Sequence, residues 1–293
     1  MTIKQMTVIS GKGGTGKTTI TASFASLAKD AVFADCDVDA ADLHLILNPN
    51  IIETHEFSGL KLAVKDPELC TDCGECLAHC RFNAITDDFY IINERCEGCG
   101  VCELVCPVDA IKLKERVSGF AYKSETRFGP MAHAVLKTAE EASGKLVNMV
   151  RNFARLIAHE KKSELIIIDG PPGLGCPVIS AITGVNLVLI VTEPTISGIH
   201  DMTRILEVTE HFNIPAVVCV NKEDINTENT EKLEKFCKEK GVQIVGKLPY
   251  DNITTEAMIE GKTVIEYSSG NGEFSKGITQ MWKKLVHILE DSG

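Results

Sequence analysis

Little in this 293-residue chain points toward a membrane or a nucleic acid. No apolar run approaches the ~18 residues expected of a membrane span, and Met1-Thr-Ile-Lys-Gln lacks the apolar stretch of a secretory signal. Positive charge is scarce: 30 Lys and Arg against 41 Asp and Glu leave a formal net charge of −11, which disfavours duplex DNA as a partner. A basic amphipathic tail is missing too. The last helical pattern, about 275–290, carries an apolar stripe of Ile278, Met281, Trp282, Leu285, Ile288 and Leu289, but its polar face mixes Lys283 and Lys284 with Glu290 and Asp291. Packing on a sheet is therefore expected of it, not a membrane surface. The expectation is a cytoplasmic protein with no nucleic-acid partner. In that setting twelve cysteines speak for metal or redox chemistry before disulfides.

What is present begins with Gly11-Lys12-Gly13-Gly14-Thr15-Gly16-Lys17-Thr18-Thr19, between an apolar run at Met6–Ile9 and a helical pattern from Thr21 to Ala28. Strand, glycine-rich loop and helix form the setting of a P-loop. Its backbone N–H groups cradle phosphates, Lys17 reaches the β- and γ-phosphates, and Thr18 offers a hydroxyl to Mg²⁺. Lys12 is an extra lysine that such a loop does not require. A second strand, Ala31–Asp35, ends in Asp35-Cys36-Asp37-Val38-Asp39, where Asp37 suits a Mg²⁺-nucleotide site and Asp39 and Asp42 read equally well as turn or capping acids. Leu165–Ile168 runs into Asp169-Gly-Pro-Pro-Gly173. Asp169 is placed as the strand-end acid for Mg²⁺, with Gly170 and Gly173 giving a mobile backbone near a γ-phosphate. Further strands are expected at Leu187–Val191, Ala216–Val220 and Val242–Val245, a long helix near 144–160, and a loop over Ser118–Pro130. Alternating strands and helices with continuous apolar strands predict an α/β fold, a mostly parallel sheet covered on both faces.

Eight cysteines crowd one segment. Cys70, Cys73, Cys76 and Cys80 are followed by Cys96, Cys99, Cys102 and Cys106, and residues 70–85 align on 96–111 without gaps, with seven of 16 positions identical. Phe89–Ile92, between the blocks, suits a strand, as does Gly59–Val64 ahead of them. Three close cysteines and a fourth beyond, twice over, is the spacing of two-cluster ferredoxins, in which the fourth cysteine of each block serves the other cluster. Cys70, Cys73, Cys76 and Cys106 would then hold one [4Fe-4S] cluster, and Cys96, Cys99, Cys102 and Cys80 the other. Zinc is the alternative. Arg81 stands where the second block has Pro107. From 66 to 116 there are 11 acidic residues against 5 basic ones, so a redox partner with a basic docking patch is expected.

These motifs resemble two known groups. The stretch 70–111 is similar to bacterial 2[4Fe-4S] ferredoxins. Lys12 with Lys17, Asp35-Cys-Asp37 and Asp169-Gly-Pro-Pro-Gly173 resemble the deviant Walker A ATPases of the MinD/ParA/Mrp group, and the whole chain resembles those of them that carry an inserted ferredoxin domain. The resemblance implies a P-loop ATPase domain over 1–58 and 116–293, with a small α+β ferredoxin-like domain inserted over 59–115. It also implies ATP or ADP and Mg²⁺ as ligands, and a nucleotide-dependent homodimer, or a heterodimer with a paralogous ATPase. Lys12 would reach the partner's phosphates and Asp37 would orient the attacking water. Adenine would lie near Asn221-Lys222 and the Pro249-Tyr-Asp251 turn. The expected function is an ATPase whose dimerisation gates electron transfer to a partner metalloprotein, or its maturation. A cluster carrier or scaffold, and a MinD-like positioning ATPase, are the alternatives. Cys176 could meet a metal site across a dimer or simply be a small packed residue. Cys36, Cys219 and Cys237 read as core, and His44, His79 and His133 as structural.

Overall fold

The computed structural model describes residues 3–137 and 144–291. Among the described residues nine strands form one sheet: β1 (Lys4–Ser10), β2 (Ala31–Asp35), β3 (Asn50–Lys65), β4 (Ile111–Thr126), β5 (Gly129–Leu136), β6 (Leu165–Pro172), β7 (Leu187–Thr192), β8 (Ala216–Asn221) and β9 (Ile244–Leu248). Their order is β3-β4-β5-β2-β6-β1-β7-β8-β9. From β5 to β9 every neighbouring pair is parallel. These strands are continuous apolar runs, and β2, β7 and most of β1 are buried along their length, as a sheet covered on both faces requires. In the terminal helix Glu273–Asp291, Ile278, Met281, Leu285 and Leu289 are buried in the main core, and Trp282 packs on Phe24 with ring centroids 5.2 Å apart. No helix among the described residues is long and apolar enough to cross a membrane.

The chain divides into two compact units, one of residues 1–54, 121–135 and 142–293, the other of 55–120 and 136–141. The second has a small core of Ala63, Cys76, Ile85, Ile91 and Ile111. The 26-residue repeat is written into its backbone. Asp72 and Gly98, Gly74 and Gly100, and Asn83 and Asp109 are all left-handed, and each pair is one repeat apart. Gly74 and Gly100 each cap a short helix, Glu75–His79 and Val101–Leu104, which carries the third cysteine of its block.

Four expectations change. Ser118–Pro130 is not a loop: it lies in β4 and β5, joined at Arg127-Phe128, a connection short enough only for antiparallel neighbours. Thr126 closes the turn, its hydroxyl donating to the Gly129 carbonyl at 2.7 Å and accepting the Phe128 N–H at 3.1 Å. Phe89–Ile92 is not a strand; only an Ile85–Ile91 bridge forms. Phe89 is left-handed (φ 59°), and the Thr86 N–H bonds the Tyr90 carbonyl at 3.0 Å, so the chain turns where a strand would run on. The strand placed at Gly59–Val64 starts earlier, at Asn50, and the one placed at Val242 begins at Ile244.

His133, on β5, stacks on Tyr122 (5.0 Å) and on His44 (6.0 Å), with Nε2 3.0 Å from Ser124 Oγ. Burial, then the neighbouring His44, lowers its pKa from 6.5 to about 4. The folded state thus holds it neutral. The stability this contributes is present above pH 6.5 and lost as pH falls toward 4, about 3 kcal/mol in all. The unfolding midpoint of the native chain should drop over that interval, and His133→Asn should flatten the drop. An equally steep profile in the variant would assign the acid sensitivity elsewhere.

Candidate functional site

β1 hands the chain to residues 11–16, and the helix Lys17–Ala25 follows. Gly14 and Gly16 are left-handed at φ 80° and 85°. Gly16 is constrained twice, because a Cβ there would lie 2.4 Å from Asn221 Nδ2. Gly11 packs directly on Asp201, and Gly13 lies in open space. Thr15 Oγ1 is buried without a protein partner, so the loop keeps an unspent hydroxyl beside its backbone N–H groups, a donor set that fits phosphate oxygens.

Beneath the loop sits a charged cluster. In-register pairing places Asp35 of β2 opposite Asp169 of β6, and Asp37 follows at the end of β2. Lys17 Nζ lies 3.0 Å from Asp37 Oδ2 and 3.5 Å from Asp169 Oδ1. The Thr18 hydroxyl donates to Asp169 Oδ2 at 2.7 Å, and Thr21 Oγ1 to Asp169 Oδ1 at 3.0 Å. Thr19 faces Met258, with Oγ1 3.5 Å from its sulfur. Asp35 is fully buried; its two oxygens accept the N–H groups of Asp37 and Leu43, both at 3.2 Å, which pins the segment carrying Asp37. Burial, and then the charge of Asp169, pushes the Asp35 pKa well up. Burial raises Asp37 as well, against the pull of Lys17. For Lys17 burial works against the charge, but Asp169 and Asp37 outweigh it and hold its pKa above 10.5. Thr18, Asp37 and Asp169 thus gather at the foot of the loop, an oxygen set that would suit Mg²⁺.

The extra lysine finds a partner that the sequence did not disclose. Lys12 Nζ is 3.4 Å from Glu193 Oε2, and Lys222 Nζ is 2.6 Å from Glu193 Oε1. Lys222 also donates to the Gly14 carbonyl at 3.3 Å, and Asn221 Nδ2 to the Thr15 carbonyl at 2.8 Å. Gly173, at φ 93°, donates its N–H to the Ser10 carbonyl at 2.9 Å. Gly170, by contrast, is packed inside β6, where a Cβ would meet Ile9 Cγ2 at 2.6 Å, so close packing rather than mobility requires it. Pro249 and Asp251 flank a turn in which Asp251 Oδ1 accepts the Ile253 N–H at 3.0 Å. Tyr250 N donates to Asp224 Oδ1 at 2.7 Å, which ties this turn to the segment after β8. Cys176 is exposed at the start of the helix Cys176–Ile182. Buried Arg151, also missed from sequence, holds the far end of that helix through the Ser180 and Thr183 carbonyls at 2.6 and 2.9 Å. Cys36, Cys219 and Cys237 are buried, and His79 Nδ1 lies 2.9 Å from the Glu75 carbonyl oxygen.

In the second unit Cys80, Cys96, Cys99 and Cys102 line one pocket, with Ala63, Ile85, Ile91 and Leu113 among its apolar walls. Burial pushes the Cys102 thiol up to about 11, with Cys96 adding to it. Burial also raises Cys76, and nearby Cys70 and Cys73 contribute. Cys106 Sγ accepts the Ala110 N–H at 3.2 Å. Among the described residues no three His, Cys, Asp or Glu close on a single metal ion. A cubane asks for something else: each thiolate binds a different iron, so four sulfurs surround the core instead of converging. Four cysteines on one pocket wall are a donor set of the kind a cubane would use.

Three relatives and one solved structure place the chain. An uncharacterized protein of Methanocaldococcus jannaschii, MJ0578, is 35% identical over 290 residues, 98% of each chain, and a second one, MJ0579, is 26% identical over 271 residues, 89% of this chain and 91% of that one. An iron-sulfur cluster carrier protein of Pyrococcus abyssi is 29% identical over 142 residues, which is 44% of this chain and 47% of the carrier. The septum site-determining protein MinD of Pyrococcus horikoshii, solved with Mg-ADP, superposes with a TM-score of 0.61 at 18% identity, covering 100% of this chain and 99% of that one, and so shares the fold. Residues 6–264 match the model of the CobQ/CobB/MinD/ParA nucleotide binding domain family, and the chain belongs to that family.

Proposed function

We propose that this protein is a Mg²⁺-dependent ATPase whose nucleotide-driven dimerisation gates electron transfer from two [4Fe-4S] clusters to a partner metalloprotein, or the maturation of that partner. The carrying observation is the pairing of two sets of groups in one chain: Lys17, Thr18, Asp37 and Asp169 under a phosphate-type loop, and Cys80, Cys96, Cys99 and Cys102 along one pocket.

In this reading Lys17 leaves the carboxylates for the β- and γ-phosphates, and Lys12 crosses to the phosphates of a second protomer. Mg²⁺ bound by Thr18, with Asp37 and Asp169 close by, would neutralise phosphate charge. Asp37 orients a water. The water's oxygen bonds to the γ-phosphorus as the bond to the β–γ bridging oxygen breaks, releasing ADP and phosphate. The clusters would supply one-electron chemistry at the second unit, Cys70, Cys73, Cys76 and Cys106 holding the other of the two. The acidic surface there favours a partner with a basic docking patch. The second protomer is a copy of this chain or a paralogue, and one organism's possession of two full-length relatives supports the paralogue.

The test is to reduce the protein and offer a low-potential acceptor with ATP, with ADP or with neither. Transfer should depend on the nucleotide, and Lys17→Ala should abolish that dependence. Transfer indifferent to both would refute coupling. The likeness to a protein named as an iron-sulfur cluster carrier favours a second reading, cluster donation to apo-proteins. Iron released readily to a chelator and passed to an apo-ferredoxin would select it.

A further inference from the structure

We infer that electrons leave this protein by the pocket of Cys80, Cys96, Cys99 and Cys102, across an apolar face of Phe82, Val101 and Leu104 on which a basic acceptor protein docks. The inference rests on the proposed electron transfer and names its exit and the kind of partner that meets it.

The internal repeat makes the two cysteine blocks comparable position by position. Glu75–His79 and Val101–Leu104 begin one repeat apart, each behind a left-handed glycine and each carrying the third cysteine of its block. Glu75 and Ala78 are exposed, and so are their counterparts Val101 and Leu104, so burial does not choose the residues there. The chemistry differs all the same. The first helix is polar, with Glu75 Oε2 3.7 Å from His79 Nδ1. The second puts Val101 and Leu104 into water, 38% and 85% exposed. Elsewhere in the repeat a difference has a packing reason: a Cβ at Gly98, the counterpart of Asp72, would lie 2.3 Å from the Lys61 carbonyl oxygen. A leucine as exposed as Leu104 answers to no such constraint.

One exposed leucine says little, because much of any protein surface is apolar. This one belongs to a group. Val101 and Phe82, the latter 44% exposed, line the same pocket as the four cysteines. Leu104 follows Val101 by three residues, the spacing of neighbours on a helix face, and carries the apolar surface outward from the pocket. Exposed apolar patches rimmed by polar residues mark interaction sites. The rim here is acidic: Glu97 lines the pocket, and 66–116 holds 11 acids against 5 bases. An apolar centre inside a charged rim is the anatomy of a protein interface, and acids around it steer a basic partner in. The partner that fits is a protein whose redox centre lies under an apolar patch ringed by lysine or arginine. Encounters between redox proteins are small, so a few side chains suffice to seat one. A low-potential one-electron donor first reduces the loaded protein. One electron then passes to the docked acceptor, which is reduced by one as the protein returns to its oxidised form, and no bond is made or broken.

The experiment uses the full-length, cluster-loaded chain, with cytochrome c, a basic one-electron acceptor, as the probe. Calorimetry of the two oxidised proteins reads affinity. Stopped flow reads transfer, after reduction with dithionite and removal of the excess. Leu104→Ser should weaken binding and slow second-order transfer at least tenfold, the order expected for losing a buried leucine side chain. Ala78→Ser, at the matching position of the first block, should stay within twofold of native in both. Val101→Thr, close to isosteric, should act in the same direction as Leu104→Ser and decides the matter if that variant loses iron. Native binding and transfer in both second-block variants, or an equal loss in Ala78→Ser, would overturn the inference and leave electron transfer standing. Self-association of the native chain in sedimentation, abolished by Leu104→Ser, would give the face to a second copy and overturn it as well. No transfer from the native chain would overturn the electron-transfer reading and the inference with it.

Discussion

Lys12→Ala should lower the turnover of nucleoside triphosphate about a thousandfold and leave nucleotide affinity within a few-fold of native. A cation supplied in trans to a phosphoryl-transfer transition state is worth roughly 10³ to 10⁵ in rate, and it acts on charge that develops only there. The two lysines of the loop are placed very differently. The side chain of Lys17 is 6% exposed and clamped between two carboxylates, and removing it would strand Asp37 and Asp169. Lys12 is 39% exposed, and its partner Glu193 keeps Lys222 at 2.6 Å whatever happens at position 12. The alanine variant therefore leaves no orphaned charge, and its fold and ground-state binding should survive. Binding of ATP by fluorescence titration and its turnover by phosphate release separate the two effects. Equal loss of both would remove Lys12 from the transition state and make it a ground-state contact.

Strands buried on both faces are legible because nothing interrupts their apolar runs, and acids at their carboxyl ends stand out against that background. Asp35, Asp37 and Asp169 were visible for this reason, although only the register of β2 on β6 shows that Asp35 and Asp169 lie side by side. The hairpin of β4 and β5 was not legible. Gly119, Tyr122, Lys123, Ser124 and Thr126 give turn-like composition to a pair whose buried positions include Ser118 and Ser124, so the alternation is carried by small polar residues that hydropathy does not register. Glu193 was missed for another reason. Thr-Glu-Pro-Thr after a strand reads as a turn, and Thr195 does cap the next helix by accepting the Gly198 N–H at 3.0 Å. The glutamate beside it becomes meaningful only because β7 pairs with β1 and brings it to Lys12. The cysteine repeat was visible in spacing, and its left-handed positions were legible as glycines at 74 and 100 but hidden at Asp72, Asn83 and Asp109.

Serine at Cys102 should remove one of the two proposed clusters and loosen the unit around it. Iron should fall from about eight atoms per chain toward about four, with a matching loss of the broad visible absorbance. Cys176→Ser, at an exposed cysteine in the other unit, should change neither. The second unit buries Ala63, Cys76, Ile85, Ile91 and Ile111, and much of what packs against them is Cys80, Cys96 and Cys102. A unit this small cannot offset its conformational entropy with so few apolar side chains, and domains of that size generally depend on metal or cross-links. Ligand binding is then part of its folding free energy. Hydrogen exchange in Cys102→Ser should accelerate over 66–116, while nucleotide affinity at the loop stays native. Unchanged iron in Cys102→Ser would exclude it as a ligand. Zinc in place of iron in the native chain, purified without air, would select the other metal that this cysteine spacing permits. Iron lost with no change in exchange would show that the unit stands on its apolar contacts alone, and that the clusters are passengers of the fold and not its support.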